Sequence, residues 1–215
     1  MKMSPGKKVL FALGQFGLVL CGFGAGKLFS SFYVDRGLSG ETLFPVFIYQ
    51  GYFFGFFTIA GLIIALCSLV QLAGGMFAGN ASDRSMREKG RRTAFMRSAA
   101  IPLALFSALV FFPPTTGHFY LNSVVVLAYA ILFYLFLALY TVPYLALLPE
   151  LGASTGERIE LSALLACSTA FASILGNRVP EFLKDVSAAF GVSPVAAFRL
   201  IIVAYALVSA VCLLL

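Results

Sequence analysis

The sequence predicts an all-α integral membrane protein of six transmembrane helices. Hydrophobic residues make up 60% of the 215, and charged ones only 11%. Apolar runs near bilayer length recur along the whole chain, and the positive residues gather in a few short segments between them. A soluble domain carries roughly a quarter charged residues, whereas a crossing helix needs about 20 consecutive apolar ones.

The first run, 9–34, follows "MKMSPGKK" and is too long for a signal-peptide core, so it reads as a retained span. The second run, 43–79, is long enough for two spans, and charge decides. Positively charged loops stay cytoplasmic. Lys2, Lys7 and Lys8 on one flank and the 84–97 cluster on the other must then share a side. An even number of crossings lies between them, so the second run is one span over 57–79. Its aromatic front end, 43–57, is an outer extension that Pro45, Gly51 and Gly55 can break. Spans 93–112, 121–148, 159–177 and 195–215 complete the six. Arg158 joins the cytoplasmic set, against Arg36, Arg178 and Lys184 outside. Both termini are thus expected in the cytoplasm, and the plasma (inner) membrane is the expected location.

Several functions find no carrier. Cys21, Cys67, Cys167 and Cys212 all lie inside apolar runs without metal-ligand spacing. The clustered charge gives no water-exposed basic face for nucleic acid. No Gly-rich phosphate loop and no nucleophile–base pairing is visible. No enzyme activity, cofactor or metal is expected.

The loop "GNASDRSMREKGRR", Gly79 to Arg92, holds more than the charge that fixes topology. Gly79 permits close helix crossing. Asp83 can pair with arginines or a facing helix N-terminus. Gly79, Asp83, Arg84, Gly90, Arg91 and Arg92 therefore form a candidate conformational latch.

This loop resembles the loop 2–3 motif of the major facilitator superfamily. Its five-residue spacer between Arg84 and Gly90 is similar to that of the glycoside–pentoside–hexuronide:cation symporters, the melibiose-carrier relatives. "TVPYLALLPELGASTGER", Thr141 to Arg158, resembles that family's span-4 end and loop 4–5, and "IPLALFSALVFFPP" is similar to its third span. The resemblance implies an N-terminal six-helix half, working by alternating access with a C-terminal half on the same or a separate chain. It also exposes departures. Where melibiose-type carriers place acids on spans 1, 2 and 4 and an arginine on span 5, this chain has Val19, Gln71, Gly75, Thr141 and Ala166. Spans 2 and 4 hold no acid before their cytoplasmic ends, which argues against a sodium site of that type.

Span 4 lines up Tyr129, Phe133, Phe136, Tyr140 and Tyr144 on one helical face, with Pro143 among them. Span 5 lines up Ser162, Ala166, Thr169, Ser173 and Asn177. Two readings stand: helix packing, or a cavity wall with hydroxyls and aromatic surface. Lys27 on span 1 either snorkels to the outer headgroups or holds an anionic group inside the membrane. Arg199 is expected to snorkel, and Glu157, Arg158 and Glu160 to cap or pair at the start of span 5. The candidate substrate contacts are Lys27, Tyr129, Tyr140, Thr141 and Thr169. They suit an amphiphilic or lipid-like anion such as a lysolipid. The alternatives are a proton- or cation-coupled sugar symporter and a non-transporting six-helix scaffold. The expected partners are the C-terminal half, the substrate, the bilayer and a coupling proton.

Overall fold

The computed structural model describes residues 4–34, 44–53, 55, 57–85, 91–115, 117–152 and 154–215. α1 (Pro5–Phe23) runs through a π-helical stretch, Gly24–Leu28, into α2 (Phe29–Tyr33), making one long segment with a widened turn. A small antiparallel hairpin, β1 (Tyr52–Phe53) and β2 (Phe57–Thr58), leads into α3 (Ile59–Ser85). α4 (Arg91–Leu109), α5 (Phe119–Leu151), α6 (Thr155–Asn177), α7 (Val179–Phe190) and α8 (Pro194–Leu214) follow.

Local chemistry sets several of these boundaries. Ser154 caps α6 by accepting from the Glu157 N–H at 3.3 Å, and Ser193 caps α8 through the Ala196 N–H. Proline occupies the first turn of α1, α7 and α8, where a missing N–H costs nothing. Gly191 ends α7 with a φ of 61°, left-handed backbone that glycine adopts without a Cβ penalty.

Five helical segments are long and apolar enough to cross a bilayer: Pro5–Tyr33, Ile59–Asn80, Phe119–Leu151, Thr155–Asn177 and Pro194–Leu214. In α4 the apolar part is shorter, Met96–Leu109. The amphipathic α7 lies in what the sequence left as a loop, with Val179 and Leu183 buried and Glu181, Lys184 and Asp185 exposed.

α1 packs on α6 and α8, α5 packs on α3 and α4, and α4 meets α8. Exchanging α1 with α5, α3 with α6 and α4 with α8 reproduces each of these pairings. α1 is central, with 47% of its most apolar stretch buried, whereas α3 and α6 bury only 22% and flank the bundle. Small residues make the close crossings. A Cβ on Gly17 would sit 2.8 Å from Cys212 Cβ and 3.0 Å from the Ser209 carbonyl oxygen, so glycine sets the α1–α8 distance.

At the Lys27 end, aromatic rings close the bundle. Phe32 stacks on Phe47 and Phe198 and meets Phe111 edge-on, with centroids 4.8 to 5.5 Å apart. Residues 44–50, in the stretch expected as an outer extension of the second span that Pro45, Gly51 and Gly55 can break, are irregular backbone laid over these rings. Their polar groups find partners. Buried Asn122 donates to the Phe47 carbonyl at 2.9 Å, Ser123 Oγ accepts from the Tyr49 N–H, and Gln50 Nε2 donates to the Tyr33 carbonyl at 2.8 Å. Tyr33 in turn donates to the Val110 carbonyl. Arg199, expected to snorkel, is half-buried. It donates to the Phe111 carbonyl at 3.2 Å and lies over the rings of Phe47 and Phe112. The ring faces and an unpaired helix-end carbonyl stabilise the cation where it is.

Candidate substrate-contact site on α1 and α6

The π-helical stretch "GAGKL" is the main irregularity of the first long segment. Such stretches widen the turn by one residue, and they are frequent at functional sites. Here it delivers Lys27 to α6. Lys27 Nζ donates to Asn177 Oδ1 at 2.7 Å, and Asn177 is held by its own Nδ2 bond to the Ser173 carbonyl at 2.8 Å. The Lys27 ammonium lies 5.6 Å from the centroid of the Phe23 ring. That ring packs against Gly176 so closely that a Cβ there would fall 2.4 Å from it. Phe23 and Gly176 thus position the Lys27–Asn177 pair, and both partners are exposed.

The α1–α6 seam carries two more polar pairs. Gln15 Nε2 donates to Thr169 Oγ1 at 3.2 Å, and Gln15 Oε1 is buried with no hydrogen-bond partner. Farther along, Lys8 Nζ meets Glu160 Oε2 at 2.5 Å. At about 1.5 Å per residue, Gln15 stands roughly 10 Å above Lys8 and Lys27 roughly 28 Å above it, close to the thickness of a hydrocarbon core. One seam therefore presents an ion pair at one boundary, a neutral pair in between, and a cation–amide pair near the other.

The sequence-predicted residues separate into groups. Lys27 and Thr169 share the seam. Tyr140 lies elsewhere, buried, donating to the Leu213 carbonyl at 3.0 Å and stacked on Tyr144. Tyr144 donates to the Phe11 carbonyl and stacks on the Phe11 ring. Tyr129 contacts Phe106 of α4, which also stacks on Phe136. The aromatic face of α5 thus engages α1, α4 and α8, and Thr141 is half-buried beside it. Gln15 was missed by sequence reasoning, although a lone amide in the middle of an apolar run was a signal. Asn177 was among the residues of the span-5 face expected either to pack or to line a cavity, and was not singled out as a partner of Lys27.

Of the latch residues, Gly79 lies on α3 with open space where a Cβ would stand. α3 continues past the apolar stretch through Asp83 and Arg84, and α4 opens with Arg91 and Arg92. Gly90 and the side chains of Asp83, Arg84, Arg91 and Arg92 lie outside the described residues. Among the described residues no three metal-ligating side chains gather.

Bilayer-length apolar helices, two of them joined by a row of polar pairs, define an integral membrane protein. Comparison with known families makes the class specific: residues 42–215 match the family described as MFS/sugar transport protein, and the chain belongs to that family. This is a family of transporters, not of enzymes. No curated protein and no solved structure matches the chain.

Proposed function

We propose that the chain is the N-terminal six-span half of a secondary transporter. It works by alternating access with a second six-helix half, and its substrate contacts lie along the α1–α6 seam. The observation that carries this is the Lys27–Asn177 pair, set by a π-helical turn over the Phe23 ring, with Gln15 and Thr169 deeper on the same seam. Exchangeable helix trios of odd number have opposite polarity in a bilayer, the internal symmetry of many carriers. That supports counting α4 as a span although its apolar part is short. The open flanks of α3 and α6, with Leu72, Met76 and Phe171 exposed, are where the second half would dock.

An ammonium beside an aromatic ring and an apolar wall suits a carboxylate or phosphate on an amphiphilic body. The family description, which names sugar, favours the second reading, a sugar symporter coupled to a proton or another cation. Gln15 supports that one, since its unspent Oε1 can accept from a hydroxyl. Uptake by reconstituted protein separates the two. The amphiphile reading expects a lysophospholipid to be taken up and Lys27→Gln to weaken its uptake at least tenfold, with insertion unchanged. Hexose uptake that survives Lys27→Gln but is lost in Gln15→Leu would overturn it for the sugar. No uptake of either would leave the six-helix scaffold.

A further inference from the structure

At the Lys8 end, the adjacent lysines of α1 part company. Lys8 turns to α6 and is paired with Glu160, whereas Lys7 lines a cavity of about 400 Å³ between α1, α4, α5 and α8. That volume is in the range of small-molecule sites, about 300–1,000 Å³. Arg97 of α4 is the cavity's other charged side chain, and no carboxylate side chain lines it. The tyrosine hydroxyls of its walls are already spent, because those of Tyr140 and Tyr144 are bonded to carbonyls of α8 and α1. What remains is rings, leucines such as Leu10 and Leu147, and two cations supplied by different helices. Among the described residues neither Lys7 nor Arg97 makes an ion pair.

We propose that this cavity binds a membrane phospholipid with an anionic headgroup, its phosphate between Lys7 and Arg97 and its acyl chains along the leucines. Topology alone asks only that positive charge lie somewhere in the loops. It does not ask that two helices bring cations to one apolar cavity. Basic pockets between helices on the cytoplasmic side are where anionic headgroups are held, and each cation near the surface strengthens attraction about fivefold. Two cations give a preference of about 30-fold for an anionic over a zwitterionic headgroup. The site does not depend on what the protein carries.

The competing role for both cations is to complement the carbonyl end of α5, which terminates at this end. The two roles differ in what lipid they need. The experiment places the whole protein in nanodiscs of phosphatidylcholine, with and without phosphatidylglycerol, and reads the melting temperature and the lipid retained in native mass spectrometry. Phosphatidylglycerol should raise the melting temperature and stay bound. Lys7→Gln/Arg97→Gln should remove both effects while melting like the parent in phosphatidylcholine alone. Lys7→Arg/Arg97→Lys should restore them, and Lys184→Gln, a cation exposed elsewhere, should change nothing. Three results would each overturn the proposal: a parent indifferent to phosphatidylglycerol, a Gln variant that loses as much stability in phosphatidylcholine alone, or inorganic phosphate reproducing the whole effect.

Discussion

Removing either partner of the Lys8–Glu160 pair deletes the same 2.5 Å contact, yet the two losses should be unequal. The Lys8 side chain is only 7% exposed, while that of Glu160 is 57% exposed. Glu160→Ala leaves an ammonium that cannot be well hydrated where it stands, and an unsatisfied buried polar or charged group costs about 1–3 kcal/mol. Lys8→Met keeps the apolar stem packed and leaves a carboxylate that water already reaches. Exposed pairs contribute below about 1 kcal/mol. For a chain of this size each kcal/mol shifts the melting temperature by about 2–4 °C. Glu160→Ala is therefore expected to lower it by about 2–12 °C, and Lys8→Met by under about 4 °C. The double variant Lys8→Met/Glu160→Ala should melt no lower than Lys8→Met, because no buried charge is left behind. The assay is thermal unfolding in one detergent at one pH, with insertion checked by expression level. Equal losses from the two single changes, or a double variant whose loss is their sum, would refute the argument that burial of Lys8 sets the cost.

A second comparison isolates the α1–α8 crossing. Gly17→Ala and Gly22→Ala gain the same helix propensity, but only the Gly17 position faces atoms within 3.0 Å, so the first should melt below the second by about 1–3 kcal/mol in unfolding free energy. Cysteine labelling should place Arg87→Cys in the cytoplasm and Gly117→Cys outside, in a background without native cysteines, and labelling of both from one side would break the six-span count. Uptake should not need Na⁺, since spans 2 and 4 hold no acid before their cytoplasmic ends; a steep Na⁺ dependence abolished by changes in this half would show the ligand set was misjudged. Asp83→Asn should insert correctly yet cripple transport, shifting the inward–outward ratio by about five- to 150-fold. An unchanged distance distribution between labelled halves, with normal transport, would reduce the loop to its topological role.

The long helices were legible because an apolar run of bilayer length has few alternatives to a helix. The α6 start was expected at 159 with Glu157 capping or pairing, whereas the helix begins at Thr155 under a Ser154 cap. Shorter features were not legible. "GAGKL" carries no signature of a π turn, since the widened turn depends on how α1 and α2 pack rather than on their composition. The aromatic row of α5 had the right period, but a period names a face and not what the face meets. α7 was passed over as a loop although Pro180 and Gly191 bracket it as start and stop signals. The Lys27–Asn177 pair joins residues 150 positions apart, beyond the reach of any local pattern.

Many of the bonds that tie one helix to another here join a side-chain donor to a main-chain carbonyl. Tyr33 reaches Val110, Arg199 reaches Phe111, Tyr140 reaches Leu213 and Tyr205 reaches Leu175. The Val110 and Phe111 carbonyls lie just past the last turn of α4, and that of Leu175 lies in the last turn of α6, where it also accepts from the Arg178 N–H. Half of every such tie is therefore written in backbone, which no substitution short of a change in helix length can erase. The donors are single points of failure, while the acceptor positions answer only to size and polarity. Residues that hold this bundle together would then drift unevenly: few tyrosines and one arginine held fast, their partners free to vary.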